Sequence, residues 1–211
     1  DGKIISSHKI ICLILLHFIE DKLLKGSVVK TISGSTLTDK ICNKYNITMH
    51  ETPVGFKYIA DYMLKEDVLV GGEESGGIGF INNIPERDGL ISGILLLEMM
   101  AKRKKSILGI LKDVEKEYGA FEFQREDIKY PDDKKKLLME MLKSNPPKVV
   151  AGKKVAEIKS FDGFKFILED GSWFMLRLSG TEPILRVYAE SSSIANAKKI
   201  LSFGKEFALN L

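Results

Sequence analysis

Short apolar runs alternate with amphipathic segments through the first half of the chain. This alternation predicts three strands with two helices between them: strands at 27–31, 47–50 and 67–70, and helices at 36–45 and 54–64. Ahead of them, a nearly continuous apolar segment predicts a buried helix that Ser7 could cap, running to about Leu24 and stopping at Gly26. Because strands and helices alternate, the pattern indicates a parallel sheet with crossover helices.

A long helix is predicted from about Asp88 to Lys105, and a second from Ser106 to about Glu117. In the long helix we expect the apolar side chains to form one wide buried face: Leu90, Ile91, Ile94, Leu95, Leu97 and Met99. The helical pattern breaks at Tyr118-Gly119. We therefore expect a domain boundary there, with one domain over residues 1–118 and a second over 119–211.

The second half is patterned differently. It predicts two helices and five strands: strands at 121–124, 155–161, 164–168, 173–178 and 184–190, and helices at about 132–143 and 193–209. Two of the connections, Asp162-Gly163 and Asp170-Gly171, are strong hairpin signals. The sequence therefore predicts an α/β domain, a parallel-type sheet with crossover helices, followed by a smaller α+β domain.

Composition narrows the class of protein. Of 211 residues, 44% are apolar and 29% are charged, which excludes a disordered chain, a collagen-like chain and a disulfide-rich scaffold. Cys12 and Cys42 are far apart and have no metal-binding spacing, so we expect reduced thiols and a cytoplasmic protein. The most apolar stretch, Ile10 to Ile19, is far shorter than the ~20 residues that span a bilayer, so we expect no membrane partner.

The charge balance argues against a nucleic-acid partner. A net charge of +3 is too small for a protein held to nucleic acid by its overall field. The lysine-rich runs at 102–105 and 134–136 keep a basic nucleic-acid binder open as a rival hypothesis, although such runs are usually solvated helix faces. The chain begins Asp1-Gly2-Lys3 without Met, and we expect it to be part of a longer protein.

The segment Arg177-Leu178-Ser179-Gly180-Thr181-Glu182-Pro183, followed by Arg186, is a candidate anion site. A strand delivers the first arginine, and the loop adds two hydroxyls and a glycine that allows close approach to the backbone. Successive N–H groups in such a loop can form an anion-binding nest, and a guanidinium can grip two phosphate oxygens. The plain alternative is a tight turn whose arginine points to water.

A second candidate is Gly71-Gly72-Glu73-Glu74-Ser75-Gly76-Gly77, directly after a predicted buried strand. Its carboxylates and hydroxyl suit sugar hydroxyl groups, and ligands of parallel sheets bind at the carboxyl ends of strands. A flexible surface loop is the alternative. Lys30 and Lys57 could also reach a phosphate, although single lysines are usually solvated.

The two loops, in this order and at this separation, resemble those of the carboxyl-terminal half of the phosphoglucomutase/phosphomannomutase family of α-D-phosphohexomutases. Similar residues also stand at 53–57, Asp88-Gly89 and Tyr118-Gly119. The resemblance covers essentially the whole chain and implies the third and fourth of four domains. It implies these roles: sugar contacts by Glu73 and Ser75, a cleft lining by Lys30 and Lys57, and phosphate contacts by Arg177, Ser179, Gly180, Thr181 and Arg186.

The resemblance also implies a reaction, the interconversion of hexose 1-phosphate and 6-phosphate through a phosphoserine and a bisphosphorylated intermediate. The phosphoserine loop and the Mg²⁺ loop belong to the family's first two domains. No Ser-His-Asn or DxDxD stands in these 211 residues, and Asp1-Gly2 resembles the turn after the metal loop. We therefore expect a substrate-binding half without catalytic or metal residues, and hexose 1,6-bisphosphate as activator. Some relatives have a histidine where Gly77 stands.

The substrate epimer stays open at this point. Glucose and mannose phosphates lead, and a phosphoglucosamine mutase is the alternative within the family. A free-standing sugar-phosphate-binding module without chemistry is the rival from another class.

Overall fold

The computed structural model describes Gly2 and residues 4–210. Asp1, Lys3 and Leu211 lie outside this set, and with Asp1 the turn expected at Asp1-Gly2. The chain divides into two compact units, Asp1–Gly119 and Ala120–Leu211. Each is described in turn.

The sheet of the first unit has four strands: β1 (Ser27–Thr31), β2 (Met49–Thr52), β3 (Val68–Gly72) and β4 (Ile78–Phe80). Their order is β2-β1-β3-β4; β1 is parallel to β2 and β3, and β4 is antiparallel to β3. The predicted α/β class is confirmed. The sequence did not predict β4, because three residues with Gly79 between Ile78 and Phe80 give too short an alternation.

The helices of the first unit follow the expected order: α1 (Ser7–Leu16), α2 (Thr36–Tyr45), α3 (Phe56–Met63), α4 (Gly89–Arg103) and α5 (Ile107–Tyr118). Helix α1 continues as a π-helix, His17–Asp21. The expectation that Ser7 caps α1 is wrong, since the Ser6 hydroxyl accepts from the Lys9 N–H. The helix also stops before Leu24, because Leu23 takes a left-handed φ of 53°.

The wide buried face predicted for α4 is wrong. Leu95 and Met99 are buried, but Leu90, Ile94 and Leu97 are 77%, 54% and 65% exposed. Both sets recur at spacings of three and four residues, so each forms its own stripe along the helix. Apolar positions alone therefore did not distinguish the stripe that packs inward from the stripe that faces solvent.

The second unit is built on a six-stranded sheet: β5 (Glu122–Lys129), β6 (Val149–Val150), β7 (Lys153–Lys159), β8 (Phe164–Leu168), β9 (Trp173–Leu178) and β10 (Ile184–Ser191). The order is β5-β10-β9-β8-β7-β6, with antiparallel neighbours throughout. The predicted α+β class is confirmed. Strand β5 is longer than expected, because residues beyond 124 continue to pair with β10. These residues are mostly polar, so the apolar pattern did not indicate them.

Two helices complete this unit, α6 (Asp132–Ser144) and α7 (Ile194–Leu209). Helix α7 packs through Ile200 and Ala208 against sheet residues that include Phe174 and Val187. Gly204 lets α7 approach closely, since a Cβ there would meet Phe174 and Val187 at 3.1 Å. Because side chains alternate along a strand, Arg177 and Arg186 belong to the other face of the sheet.

Candidate functional site

The acidic loop of the first unit lies at the carboxyl ends of parallel strands. It follows β3, and the loop after β1 reaches it, because the Ser33 hydroxyl donates to a Glu74 carboxylate oxygen at 2.6 Å. Two backbone bonds close the turn: Glu73 N–H donates to the Gly77 carbonyl at 2.9 Å, and Gly76 N–H donates to the Glu73 carbonyl at 3.1 Å. The loop is therefore an ordered turn that leaves Ser75 exposed.

Glu73 is a buried carboxyl at the base of this turn. Burial raises its pKa above the ordinary value, and the adjacent Glu74 charge raises it further. Arg87 and the Gly55 N–H act in the opposite direction. A carboxyl in this setting can accept from a ligand hydroxyl when ionised and donate to one when protonated.

Arg87 occupies the space beside Gly77. A Cβ at Gly77 would lie 2.6 Å from Arg87 Cδ and 2.8 Å from Glu73 Oε2, so a larger residue there would displace one of them. The Arg87 guanidinium also lies over the Phe56 ring, 5.5 Å from its centroid. Sequence analysis missed Arg87, because it stands in an irregular segment and approaches Glu73 only through the fold.

The structure separates the two candidate lysines. Lys30 is buried within β1, forms an ion pair with Asp39, donates to the Ser35 carbonyl at 3.2 Å and lies 3.8 Å from Glu51. Its ammonium charge is thus already balanced inside the unit. Lys57, in the first turn of α3, is exposed, with its Nζ 4.8 Å from the centre of the Tyr58 ring.

In the second unit, Arg177 and Arg186 are directly opposite each other on β9 and β10. Residues directly opposite on antiparallel strands share a face, and like charges placed so are destabilising. Among the residues that the structure describes, the carboxylates paired with Arg186 are distant, Asp127 at 3.8 Å and Glu182 at 3.7 Å. Its Nε is buried and has no hydrogen-bond partner among the described residues. An anion that accepts from both arginines would offset this repulsion and give the Arg186 Nε a partner.

The connection between β9 and β10 differs from the anion nest that the sequence suggested. The Ser179 oxygen accepts from the N–H groups of Thr181 and Glu182, at 3.4 and 3.3 Å. Ser179 N–H itself donates to the Ile184 carbonyl at 3.1 Å. These three donors stabilise the turn, so the Gly180 N–H, the side chains of the loop and its flanking arginines are the groups left for an anion.

Gly180 and Thr181 are exposed at the tip of this loop. A Cβ at Gly180 would meet no heavy atom within 4 Å, so the protein itself leaves this position open. Lys135 also supports the loop, donating from Nζ to the Glu182 carbonyl at 3.2 Å. Sequence analysis missed Lys135 as a neighbour of the loop, because it belongs to α6 and only the fold brings it there.

The lysine-rich runs are largely occupied by acidic partners. Arg103 pairs with Glu20 at 2.8 Å and with Asp21 at 2.7 Å, and Lys105 pairs with Asp113 at 2.6 Å. Lys135 pairs with Asp132 at 2.7 Å. These contacts favour the solvated-helix interpretation of the runs over a nucleic-acid surface.

Within Gly2 and residues 4–210, no group of three or more His, Cys, Asp or Glu side chains could hold a metal ion. The described residues therefore do not fit a Mg²⁺ site. In the same part of the chain, no helix is long and apolar enough to cross a membrane.

Comparisons with known proteins match both units. Residues 6–118 match the family model described as phosphoglucomutase/phosphomannomutase, alpha/beta/alpha domain III, and residues 129–203 match the model of the C-terminal domain of the same family. A phosphoglucomutase/phosphomannomutase of Thermococcus kodakarensis is 32% identical over 85% of this chain and 37% of its own length. A phosphoglucosamine mutase of Methanococcus aeolicus is 31% identical over 89% of this chain and 40% of its own length.

Solved structures share the fold. A Thermus thermophilus protein that carries the name phosphomannomutase superposes with a TM-score of 0.79 at 27% identity. The match covers 97% of this chain and 41% of that protein's own. An Aspergillus fumigatus N-acetylphosphoglucosamine mutase, solved with GlcNAc-6P and magnesium, superposes with a TM-score of 0.59 at 18% identity, covering 98% of this chain and 47% of its own. The chain spans about two fifths of the length of the curated relatives it matches.

Proposed function

The chain belongs to the phosphoglucomutase/phosphomannomutase family, and on that premise we propose that it binds the substrate of an enzyme that moves phosphate between C1 and C6 of a hexose. Its two matched regions are domain III and the C-terminal domain of that family. In this proposal the first unit contacts the sugar and the second unit holds the phosphate that is not reacting.

The pair Arg177 and Arg186 is the observation that supports this function best. The two arginines are directly opposite each other on β9 and β10, and the buried Nε of Arg186 lacks a hydrogen-bond partner within the described residues. A phosphate monoester offers several oxygens and a double charge, which suits two planar donor groups. Ser179 and Thr181 add hydroxyl donors, and the open position at Gly180 lets the ligand approach the backbone.

Glu73 and Ser75 are proposed to hold the sugar. Carboxyl and hydroxyl groups can exchange hydrogen bonds with a hexose in more than one orientation. This tolerance suits a reaction in which either end of the sugar carries the fixed phosphate. Lys57 is exposed and can reach a ligand, whereas Lys30, paired with Asp39 inside the unit, is proposed to hold its strand end rather than to touch the sugar.

The proposed chemistry of this chain is positioning. Phosphoryl transfer depends mainly on alignment of the reacting groups and on stabilisation of their charge. The resemblance assigns the phosphoserine and the Mg²⁺ loop to other domains, with a hexose 1,6-bisphosphate as the intermediate and activator. Two cysteines without metal-binding spacing suit the reducing cytosol, where we expect the longer protein to act.

Calorimetric titration of the chain with inorganic phosphate and with glucose 6-phosphate tests the proposal. Arg177→Lys should weaken both ligands, since an ammonium keeps the charge but loses the two-pronged grip. Glu73→Gln should weaken glucose 6-phosphate and leave inorganic phosphate nearly unchanged. Equal effects of both substitutions on both ligands would contradict separate sugar and phosphate contacts.

A phosphoglucosamine substrate is the second candidate, because relatives carrying that name match as well as the phosphoglucomutase/phosphomannomutase does. Coupled assays of the full-length gene product with glucose, mannose and glucosamine phosphates separate these candidates. Sugar-phosphate binding without turnover by that product would favour the free-standing binding module instead.

A further inference from the structure

We propose that Asp162 is a positioning residue for Arg177: it holds the guanidinium by its Nε edge, so that the two terminal nitrogens are presented to the phosphate. This inference rests on the proposed function, since it assigns Arg177 to phosphate binding. Asp162 is not among the phosphate contacts that the resemblance implies.

The contact geometry is one-sided. Arg177 Nε lies 3.0 Å from Oδ1 and 3.0 Å from Oδ2 of Asp162, so one N–H is shared between both carboxylate oxygens. The terminal nitrogens of Arg177 donate no hydrogen bond to any of the described residues. A guanidinium has five donors in a planar fork, so fixing the Nε edge leaves four donors in a defined plane.

Burial makes this contact stronger than an ordinary surface ion pair. The side chains of Arg177 and Asp162 are only 18% and 20% exposed. Water screens such a pair less than an exposed one, and a charge-assisted hydrogen bond restricts the rotation of a long side chain. Binding a phosphate then costs less ordering of Arg177, which is the general advantage of preorganisation.

The hairpin turn between β7 and β8 explains why the carboxylate can reach Arg177. Gly163 takes a left-handed φ of 80°, which favours glycine. A Cβ there would also lie 2.6 Å from the Leu176 carbonyl oxygen and 3.1 Å from Arg177 Cα. Only glycine lets the turn rest directly against β9, and that approach brings Asp162 alongside the arginine.

A competing hypothesis predicts the opposite change in phosphate affinity when the Asp162 carboxylate is removed. A carboxylate beside a cation also cancels part of its charge, so Asp162 could weaken an anion site instead of ordering it. If charge cancellation dominates, removing the carboxylate strengthens phosphate binding. If positioning dominates, removing it weakens phosphate binding, and an amide that keeps one acceptor oxygen weakens it less.

The test titrates inorganic phosphate into the chain and into Asp162→Asn and Asp162→Ala. We expect about tenfold weaker binding for the alanine variant and an intermediate loss for the asparagine variant, of the size expected for one charge-assisted bond. Asp170→Ala is the matched control, because Asp170 stands in the other Asp-Gly hairpin and pairs with Lys153 and Ser172 instead. It should leave phosphate affinity unchanged. Unchanged or tighter binding by both Asp162 variants would overturn the proposal.

A spectroscopic measurement tests the positioning directly. The NMR signal of the Arg177 Nε–H is assigned as the signal that disappears in Arg177→Lys. This signal should be protected from exchange in the original chain and in Asp170→Ala. It should lose that protection in Asp162→Ala, and an unchanged signal there would overturn the proposal. If the signal behaves as expected while the original chain binds neither phosphate nor glucose 6-phosphate, Asp162 orders the arginine and the phosphate-binding function is what fails.

Discussion

Glu73 is a buried carboxyl whose ionisation lowers the stability of the folded chain. Because burial and Glu74 raise its pKa, the folded chain binds the Glu73 proton more tightly than the unfolded chain does. The contribution of Glu73 to the unfolding free energy therefore falls as the pH rises from the pKa of the unfolded chain, about 4.3, to the raised pKa of the folded chain. Above that pKa this contribution changes no further. A side chain kept under such a penalty is typical of a binding position.

We expect Glu73→Gln to raise the thermal midpoint at neutral pH, because the amide removes the buried charge and retains an acceptor for the Gly55 N–H. A gain of about 1 kcal/mol in unfolding free energy corresponds to a few degrees in Tm. The gain should vanish below pH ~4, where the wild-type carboxyl is protonated in both states. Thermal unfolding of both chains from pH 3.5 to 8 measures this, and a gain independent of pH would contradict it.

An added Cβ at Gly180 should affect ligand binding without affecting folding. Gly180→Ala should leave Tm within about 2 °C, since the added Cβ meets nothing within 4 Å and a neutral surface change is usually within ±0.5 kcal/mol. Phosphate affinity should fall about tenfold or more if a ligand approaches the backbone there. Gly93→Ala is the control, since its Cβ also meets nothing but lies in α4. Equal phosphate affinity in both variants would contradict the approach of phosphate to the backbone at Gly180.

The two thiols should be unreactive in the folded chain. Cys12 and Cys42 are both buried, and burial raises the pKa of Cys42 to about 12. Since the thiolate is the nucleophile, almost no reactive Cys42 is present at neutral pH, and burial shields Cys12 from reagents. A thiol reagent such as DTNB should therefore label the chain only on unfolding, and rapid labelling of the native chain would contradict the described burial.

At the scale of elements, periodicity predicted what local sequence determines. Strand β1 and helix α2 have the predicted bounds, because glycine, serine and apolar residues mark both ends locally. Strand β2 runs from Met49 to Thr52 instead of from residue 47 to 50, since its ends depend on pairing with β1. Arg87, Lys135 and Asp162 reach their loops from other segments, and no local pattern indicates such contacts.

Two leucines of α4 give a direct test of which side of that helix is packed. Leu95→Ala should cost about 2–5 kcal/mol of unfolding free energy, because Leu95 is buried and its truncation leaves a cavity. Leu97→Ala, two residues away on the same helix, should change it by no more than about 0.5 kcal/mol. Urea denaturation compares them, and similar losses would show that the predicted wide face is packed after all.

At the scale of the whole molecule, we expect the chain to bind without turning over. The 211 residues contain no Ser-His-Asn, and the described residues hold no metal cluster. The resemblance assigns the nucleophile and the metal loop to other domains, and positioning alone leaves the phosphate where it is. A coupled assay should detect no interconversion of glucose 1-phosphate and 6-phosphate by this chain, while calorimetry detects binding. Measurable turnover would contradict the assignment of the chemistry to other domains.

The solvent-facing stripe of α4 should make copies of this chain attract one another in solution. Leu90, Ile94 and Leu97 expose apolar surface on successive turns, and such surface attracts its like. The osmotic second virial coefficient should therefore be negative and grow more so in ammonium sulfate, which strengthens apolar association. Replacing Leu90 and Leu97 by lysine should turn it positive in static light scattering. The stripe thus limits the concentration at which copies of this chain remain apart.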